Sequence, residues 1–166
     1  MSMVIWLTGL SGSGKSTIAN ALNKHFNFTV LDGDELRRGL CSDLGYTEED
    51  RIENIRRTRE VCKILQSVDV NIVTAFITPF ESDRELAKII LKDCYIVWIK
   101  SSLEECENRD PKGLYEKARR GEIKNFTGID SEFEEPHCVD LVIDTEKNNI
   151  QECIIEITKF LKGKMI

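Results

Sequence analysis

The feature that most constrains this chain is a glycine-rich run between an apolar segment and an amphipathic one. Residues 9–16 read Gly-Leu-Ser-Gly-Ser-Gly-Lys-Ser and fit the pattern G-x-x-x-x-G-K-[ST]. The run VIWLT precedes them and the run TIANALNKHF follows, so the order is strand, loop, helix. A simple Gly/Ser turn is the alternative interpretation, but the flanking strand and helix are the context that the pattern requires.

A loop of this kind binds phosphate for physical reasons. Its glycines let backbone N–H groups turn toward phosphate oxygens, and the N-terminus of the following helix adds positive potential. We therefore predict a nucleoside triphosphate site in which Lys15 reaches the terminal phosphates and the Ser16 hydroxyl coordinates Mg²⁺. The predicted ATP-binding residues of the loop are Gly9, Ser11, Gly12, Ser13, Gly14, Lys15, Ser16 and Thr17.

Short β-rich runs alternate with amphipathic segments along the whole chain, which is typical of an α/β fold around a parallel sheet. Helices should cover both sheet faces and give three layers, because several of the runs are nearly continuous apolar. The five predicted strands are residues 3–8, 29–31, 70–77, 94–99 and 139–143. The clearest helix is the last, where apolar residues repeat at helical spacing from Ile150 to Leu161 and Gly163 follows.

Composition limits the partners of the chain. Its 166 residues are expected to form one domain, residues 1–166. A net charge of -6 argues against broad nucleic-acid binding. No apolar run approaches the roughly 20 residues that cross a bilayer, and MSMVIWLTGL does not resemble a secretion signal, so we expect no membrane partner. Six cysteines without a C-x-x-C pair predict reduced thiols and a cytoplasmic location.

Two carboxylates follow the second predicted strand. Asp32 and Asp34 come at the carboxyl end of that strand, where ligands of open α/β sheets bind. We assign Asp32 to Mg²⁺ and Asp34 to the general base that accepts a proton from an attacking hydroxyl. The structural alternative is an Asx turn that caps the next helix.

The helix predicted over about residues 47–68 has a polar section on its buried side. At 100° per residue, three polar residues share the arc of the apolar residues, and the members of this arc are Arg51, Asn54, Thr58, Val61, Cys62, Leu65 and Val68. Because burying an unpaired arginine costs several kcal/mol, the polar members should meet an anion, another polar group or a water-filled cleft. The alternative is that these first turns overhang the core and are solvated.

Apolar periodicity fades at about residues 109–136, while charge, glycine and turn residues accumulate. We predict that this stretch is a mobile lid over the site rather than part of the core. Between Arg109 and Lys124, six basic residues outnumber three acidic ones, which suits closure over a polyphosphate. A solvated basic helix is the alternative interpretation.

From Val4 to about Phe160 the chain resembles the adenylylsulfate kinase family. The blocks that carry the resemblance are IWLTGLSGSGKST, LDGDELRRGL, DLGYTEEDRIENIRR, FITPFESDRE, RDPKGLYEKARRGEIKNFTGID and LVIDTEK. The resemblance implies a P-loop kinase similar in fold to the nucleoside monophosphate kinases. It also implies that MgATP phosphorylates the ribose 3′-hydroxyl of adenylyl sulfate, with ADP and 3′-phosphoadenylyl sulfate as products.

Carried over by position, the resemblance implies a set of site residues. Tyr46 and Phe126 would sandwich the substrate base, and Arg109 would lie on the ATP side. The implied substrate-binding residues are Asp34, Arg37, Tyr46, Arg51, Asn54, Ile77, Thr78, Lys112, Gly113, Leu114 and Phe126. Thr78 stands where many relatives have a serine proposed as a phospho-acceptor, so we expect direct transfer to the hydroxyl.

The resemblance also implies a homodimer, although no apolar stripe demands one. The printed sequence starts directly before its first strand, where many relatives have an N-terminal arm. One alternative substrate is another modified nucleotide such as cytidine diphosphoramidate, because stacking barely distinguishes bases. A nucleotide-dependent regulatory module without turnover is a further alternative, which the intact Lys15, Ser16, Asp32 and Asp34 argue against.

Overall fold

The strand that precedes the glycine-rich run, β1 (Val4–Thr8), lies at the centre of a parallel five-stranded sheet in the computed structural model, which describes residues 2–164. The sheet order is β2-β3-β1-β4-β5. The other strands are β2 (Thr29–Asp32), β3 (Ile72–Ala75), β4 (Cys94–Lys100) and β5 (Leu141–Asp144). The prediction of five strands is confirmed, although β3 is shorter at both ends and β5 begins two residues later than predicted.

Helices connect the strands and cover the sheet. In chain order they are α1 (Lys15–Phe26), α2 (Gly33–Arg38), α3 (Glu48–Gln66), α4 (Glu81–Ile90), α5 (Leu103–Arg109), α6 (Leu114–Arg119) and α7 (Ile150–Lys162). Every strand pair is parallel, so the carboxyl ends of all five strands meet at one edge of the sheet. That edge is where the loops after β1, β2, β3 and β5 come together.

Alternation along β1 shows how the three layers form. Ile5 and Leu7 point to the face covered by α1 and α7, whereas Val4 and Trp6 point to the face covered by α3 and α4. The first face buries the apolar stripe of α7, including Ile157. Helices therefore cover both faces of the sheet, as the continuous apolar strands predict.

Helix α3 begins and ends at residues with clear local signals. The Thr47 side chain and Asp50 form a capping box at its N-terminus. Arg51, Asn54 and Thr58 are buried, which confirms the predicted polar arc. The prediction was wrong for Val68, which lies beyond the end of the helix at Gln66 and is 67% exposed.

The segment at residues 109–136 contains a small core of its own. Tyr115, Ala118 and Phe126 are buried and pack with Cys106 of α5. In the described residues, this small core is separate from the two clusters that pack on the sheet, to which residues 109–136 contribute nothing. Its apolar residues are spread over α6 and the turns after it, so no single periodicity reveals them.

All six cysteines are free thiols, and only Cys138 is not buried. Burial raises the pKa of Cys62 to about 12, which keeps this thiol protonated and unreactive. Within residues 2–164, no helix has both the length and the apolar character needed to cross a membrane.

The packing of α7 yields a stability prediction. Ile157 is fully buried against the sheet, whereas Ile155 on the same helix is 54% exposed. We expect Ile157→Ala to lower the free energy of unfolding by about 2–5 kcal/mol, because it leaves a cavity. Ile155→Ala is the matched control and should change it by less than about 0.5 kcal/mol. Urea denaturation of both variants measures the difference, and equal losses would contradict this packing.

Candidate active site

The glycine-rich loop follows β1 and passes very close to the neighbouring strand β4. A Cβ atom added at Gly9 would lie 2.4 Å from the Ile99 carbonyl oxygen, so only glycine fits there. Gly14 directly precedes α1 and has a φ of 104°, in the region that favours glycine. The loop therefore delivers its last residues to the N-terminus of α1, where unpaired N–H groups point outward.

Lys15 is buried at the start of α1. Its Nζ donates hydrogen bonds to the carbonyl oxygens of Gly9 (2.9 Å) and Leu10 (2.7 Å). Burial lowers the pKa of Lys15 to about 8, and the nearby Asp32 and Asp34 oppose that shift. The ammonium is thus held at the loop with two carboxylates within electrostatic reach.

Ser16 and Asp32 form a pair of oxygen donors beside Lys15. The Ser16 hydroxyl donates to Asp32 Oδ2 at 2.6 Å, and Asp32 Oδ1 accepts from the Asp34 backbone N–H at 2.9 Å. Asp32 is therefore also the helix cap that the structural alternative predicts, with its second oxygen left for the site.

These two residues fit Mg²⁺, which prefers hard oxygen ligands and usually binds through one or two protein groups together with substrate phosphates. In the described part of the chain, no three His, Cys, Asp or Glu side chains cluster to hold a metal ion. A divalent ion at Ser16 and Asp32 would accordingly share its coordination with phosphate oxygens.

Asp34 faces the lid segment. Its carboxylate accepts a hydrogen bond from the Lys112 ammonium, and both side chains are about half exposed. The two residues are 78 positions apart, so this contact joins the α2 side of the cleft to the lid. The predicted base therefore lies in the same cleft as the phosphate loop.

Arg37, Arg51 and Tyr46 form a cationic wall of the cleft that the loop also lines. The guanidinium carbons of Arg37 and Arg51 lie 4.4 Å and 5.7 Å from the centre of the Tyr46 ring. Burial lowers the pKa of Arg51, and the nearby Arg37 lowers it further. In residues 2–164, neither guanidinium forms a salt bridge with an Asp or Glu side chain. This wall therefore suits an anionic ligand.

Phe126 lies on the lid side of the same wall. Arg51 donates through Nε to the Tyr46 carbonyl oxygen (3.2 Å) and through Nη2 to the Asn125 carbonyl oxygen. This bridge connects the segment at Tyr46 to the neighbour of Phe126. The Asp130 carboxylate accepts the backbone N–H groups of Asn125 (2.8 Å) and Phe126 (2.5 Å), and these bonds lower its pKa.

The loop after β3 carries Ile77 and Thr78, which line the cleft. Thr78 is buried, its Oγ1 accepts from Trp6 Nε1 at 3.0 Å, and its φ of 43° is unusual for a β-branched residue. Ile77 precedes it, and the Ile77 carbonyl oxygen accepts from the Thr8 hydroxyl at 2.6 Å. Both residues follow β3 and line the cleft.

Thr145 is a site residue that sequence reasoning missed. Its hydroxyl donates to the Ser13 carbonyl oxygen at 2.9 Å. Arg109, predicted on the ATP side, donates to Thr145 Oγ1 (3.1 Å) and to the Thr145 carbonyl oxygen (2.9 Å). The available signal was its place in LVIDTEK, directly after the last strand.

The phosphate loop, the two carboxylates and the cationic wall line one cleft of about 1070 Å³. Nearly every predicted site residue lies on its wall. The two exceptions are Gly9, the first residue of the loop, and Gly113, which precedes α6 with a φ of 64°. The cleft also has further wall residues that sequence reasoning did not propose, among them Phe76, Pro111, Thr127, Asn148 and Asn149.

A parallel sheet with this loop, this lysine and facing carboxylates defines a P-loop kinase. Shikimate kinase from Aquifex aeolicus has the same fold, with a TM-score of 0.61 at 21% identity over 98% of each chain. The family model described as adenylylsulphate kinase matches residues 1–144. The chain belongs to the adenylylsulphate kinase family.

Individual relatives agree with this assignment. The adenylyl-sulfate kinase of Bacillus licheniformis is 51% identical over 98% of this chain and 86% of its own length. That of Prochlorococcus marinus is 53% identical over 94% and 81%. The Mycobacterium tuberculosis APS kinase in complex with AMPPNP and APS superposes with a TM-score of 0.91, at 40% identity over 97% of this chain and 98% of that one.

The lowered pKa of Lys15 predicts a pH dependence of stability. Unfolded Lys15 keeps its proton up to its ordinary pKa of 10.5, whereas the folded residue releases it above about 8. Between these values the unfolded state binds more protons, so this group's contribution to stability rises with pH. We expect wild type to gain stability relative to Lys15→Met from about pH 7.5 to about pH 10, measured by urea denaturation under reducing conditions.

The exposed Lys24 of the same helix supplies the matched control. The difference in the free energy of unfolding between wild type and Lys24→Met should stay constant over this pH range. If the Lys15→Met difference is also constant, burial does not depress the pKa of Lys15.

Proposed function

We propose that this protein transfers the γ-phosphoryl group of ATP to the 3′-hydroxyl of adenylyl sulfate, with ADP and 3′-phosphoadenylyl sulfate as products. One observation carries the proposal: the phosphate loop, Asp34 and the cationic wall of Arg37 and Arg51 all line a single cleft. The similar M. tuberculosis enzyme was solved with AMPPNP and APS, which supports this pair of substrates.

On the ATP side, the loop amides and Lys15 hold the phosphates. A pKa of about 8 leaves Lys15 mostly protonated near neutral pH, so its charge is available to the transferring group. Because Lys15 is buried and held by two carbonyl oxygens, little reorganisation is needed during transfer. Arg109 and Thr145 support the far side of the loop through Gly12 and Ser13.

Ser16 and Asp32 would hold Mg²⁺. When bound, this ion neutralises charge on the β- and γ-phosphates. Asp32 is well suited to the task, because its cap to the Asp34 backbone fixes the carboxylate while Oδ2 remains directed at Ser16.

On the acceptor side, Asp34 would accept the proton of the attacking 3′-hydroxyl. Lys112 pairs with the same carboxylate from the lid and orients it. The proton leaves the hydroxyl oxygen as that oxygen forms its bond to the γ-phosphorus and the bond to ADP breaks.

The acceptor nucleotide would lie along the cationic wall. Arg37, Arg51 and Asn54 would hold its sulfate and phosphate oxygens. Asn54 supports this role, since it is buried and its Nδ2 has no partner in the described structure. Tyr46 and Phe126 would stack on the base, which contributes about 1–3 kcal/mol with little base selectivity.

We further propose that residues 109–136 close as a lid on the single domain. Lys112 on Asp34, Tyr115 Oη on the Ser11 carbonyl oxygen (2.8 Å) and the Arg51 bridge to Asn125 are the contacts that support closure. A homodimer remains an expectation from the family. A cytoplasmic location is consistent with the six free thiols.

Substrate turnover tests the proposal directly. Purified protein with ATP and Mg²⁺ should form 3′-phosphoadenylyl sulfate and ADP from adenylyl sulfate, detected by chromatography. Cytidine diphosphoramidate run in parallel should give far less product, because it lacks the sulfate. If only the cytidine compound gives product, it is the substrate and adenylyl sulfate is not. If neither compound leads to ADP, the protein is a regulatory module without turnover.

Asp34→Asn tests the assignment of the base. We expect turnover to fall about 100- to 10,000-fold, because the amide cannot accept the hydroxyl proton, while the affinity for ATP is retained. Glu35→Gln makes the same chemical change at the next residue, which pairs only with Arg38 on the surface, and it should leave turnover unchanged. Turnover and ATP titration are measured for both variants. Unaltered turnover in Asp34→Asn would refute the assignment.

A further inference from the structure

The last part of the lid segment lies against the loop that carries Thr78. We call residues 133–138 the lid foot. Its Glu134 backbone N–H donates to the Pro79 carbonyl oxygen (2.9 Å), and Glu134 Oε2 accepts from the Glu81 backbone N–H (2.5 Å). The lid foot is thus bonded to the loop that carries Thr78 and to the first residue of α4.

Arg84 is at the centre of this junction and is fully buried. Its guanidinium donates to three different acceptors: the Thr78 carbonyl oxygen (2.6 Å), the Glu134 carbonyl oxygen (2.8 Å) and Glu81 Oε2 (2.7 Å). The Phe133 ring lies 5.7 Å from the guanidinium carbon. A planar fork of fixed donors can span these acceptors at once, which a single ammonium cannot do.

Glu81 completes the junction from the other side. Its Oε1 accepts the backbone N–H groups of His137 (3.2 Å) and Cys138 (2.5 Å). Burial by itself would raise the pKa of Glu81, but Arg84 and these two N–H groups together outweigh it and lower the pKa. The carboxylate therefore remains ionised and binds both Arg84 and the lid foot.

This junction holds the backbone of Thr78 through its carbonyl oxygen. Its left-handed backbone is disfavoured for a β-branched residue and persists only where surrounding contacts determine it. Trp6 Nε1 holds its hydroxyl, while Arg84 and the Thr8 hydroxyl hold its carbonyl oxygen. The contact from Arg84 is the one that reaches the lid foot.

We propose that Glu81, Arg84 and Glu134 form a clasp that keeps Thr78, on the wall of the cleft, aligned with the lid. Arg84 is then a positioning residue for the acceptor nucleotide. The inference rests on the proposed function and extends it. Arg84 is not among the residues that line the cleft, so it acts through Thr78 and the lid foot.

Arg84→Lys tests the clasp because it keeps the charge and loses the fork. We expect the KM for adenylyl sulfate to rise about five- to tenfold, while the KM for ATP stays within about twofold of wild type. Arg38→Lys is the matched control, since Arg38 is an exposed arginine paired with Glu35, and it should change neither KM. Unchanged values in a folded Arg84→Lys protein, or an equal rise in both, would overturn the clasp.

Glu81→Gln serves if Arg84→Lys does not fold. It preserves shape and removes the charge that binds Arg84, and the same selective rise in the KM for adenylyl sulfate is expected. Glu85→Gln, an exposed position on the same helix, is the control. A lower melting temperature with both KM values unchanged would identify a merely structural role and refute the proposal.

Limited trypsin digestion of the free protein separates this inference from the proposed function. Cleavage within residues 109–124 should be faster in Glu81→Gln than in wild type and Glu85→Gln, because the lid foot is released, and this readout needs no turnover. Failure of wild type to phosphorylate adenylyl sulfate would refute the proposed function alone. Equal cleavage in all three proteins would refute the coupling between clasp and lid.

Discussion

The close approach of the phosphate loop to β4 is the constraint on which the rest of the site depends. Gly9 lies against the Ile99 carbonyl oxygen, so the chain can turn sharply as it leaves β1 and enter α1 within six residues. That path buries Lys15 next to the loop carbonyl oxygens that hold it and brings Ser16 within 2.6 Å of Asp32. A side chain at Gly9 would displace the loop, together with Lys15 and the hydrogen-bonded pair of Ser16 and Asp32.

The cationic wall is assembled from parts of the chain that are far apart in sequence. Arg51 comes from α3, yet its guanidinium holds carbonyl oxygens at Tyr46 and at Asn125 in the lid segment. The lid can offer Phe126 because Tyr115 and Cys106 pack beside it in a separate small core. Arg51 therefore joins the cationic wall to residues 109–136, the segment proposed to close as a lid.

Much of this arrangement could be predicted from the sequence, for reasons that particular residues make clear. Arg51, Asn54 and Thr58 were found because helix geometry fixes their direction whatever the fold. Val68 was misplaced because α3 ends at Gln66, where no glycine or proline marks the end. Thr145 was missed because its contact with Ser13 requires β5 to lie beside β4, which no local pattern encodes. The lid core was missed because its members share no single period.

The sequence by itself determined the phosphate loop, the five strands and the polar face of α3, because each is written in local spacing that the backbone must obey. Only the tertiary structure decided that Asp34 meets Lys112, that Arg109 meets Thr145 and that Arg84 joins Thr78 to Glu134. The physical reason is that these contacts bring together segments that follow different strands of the sheet. Their distances depend on how the strands are ordered and how the layers pack, and neither property is a periodicity of the chain.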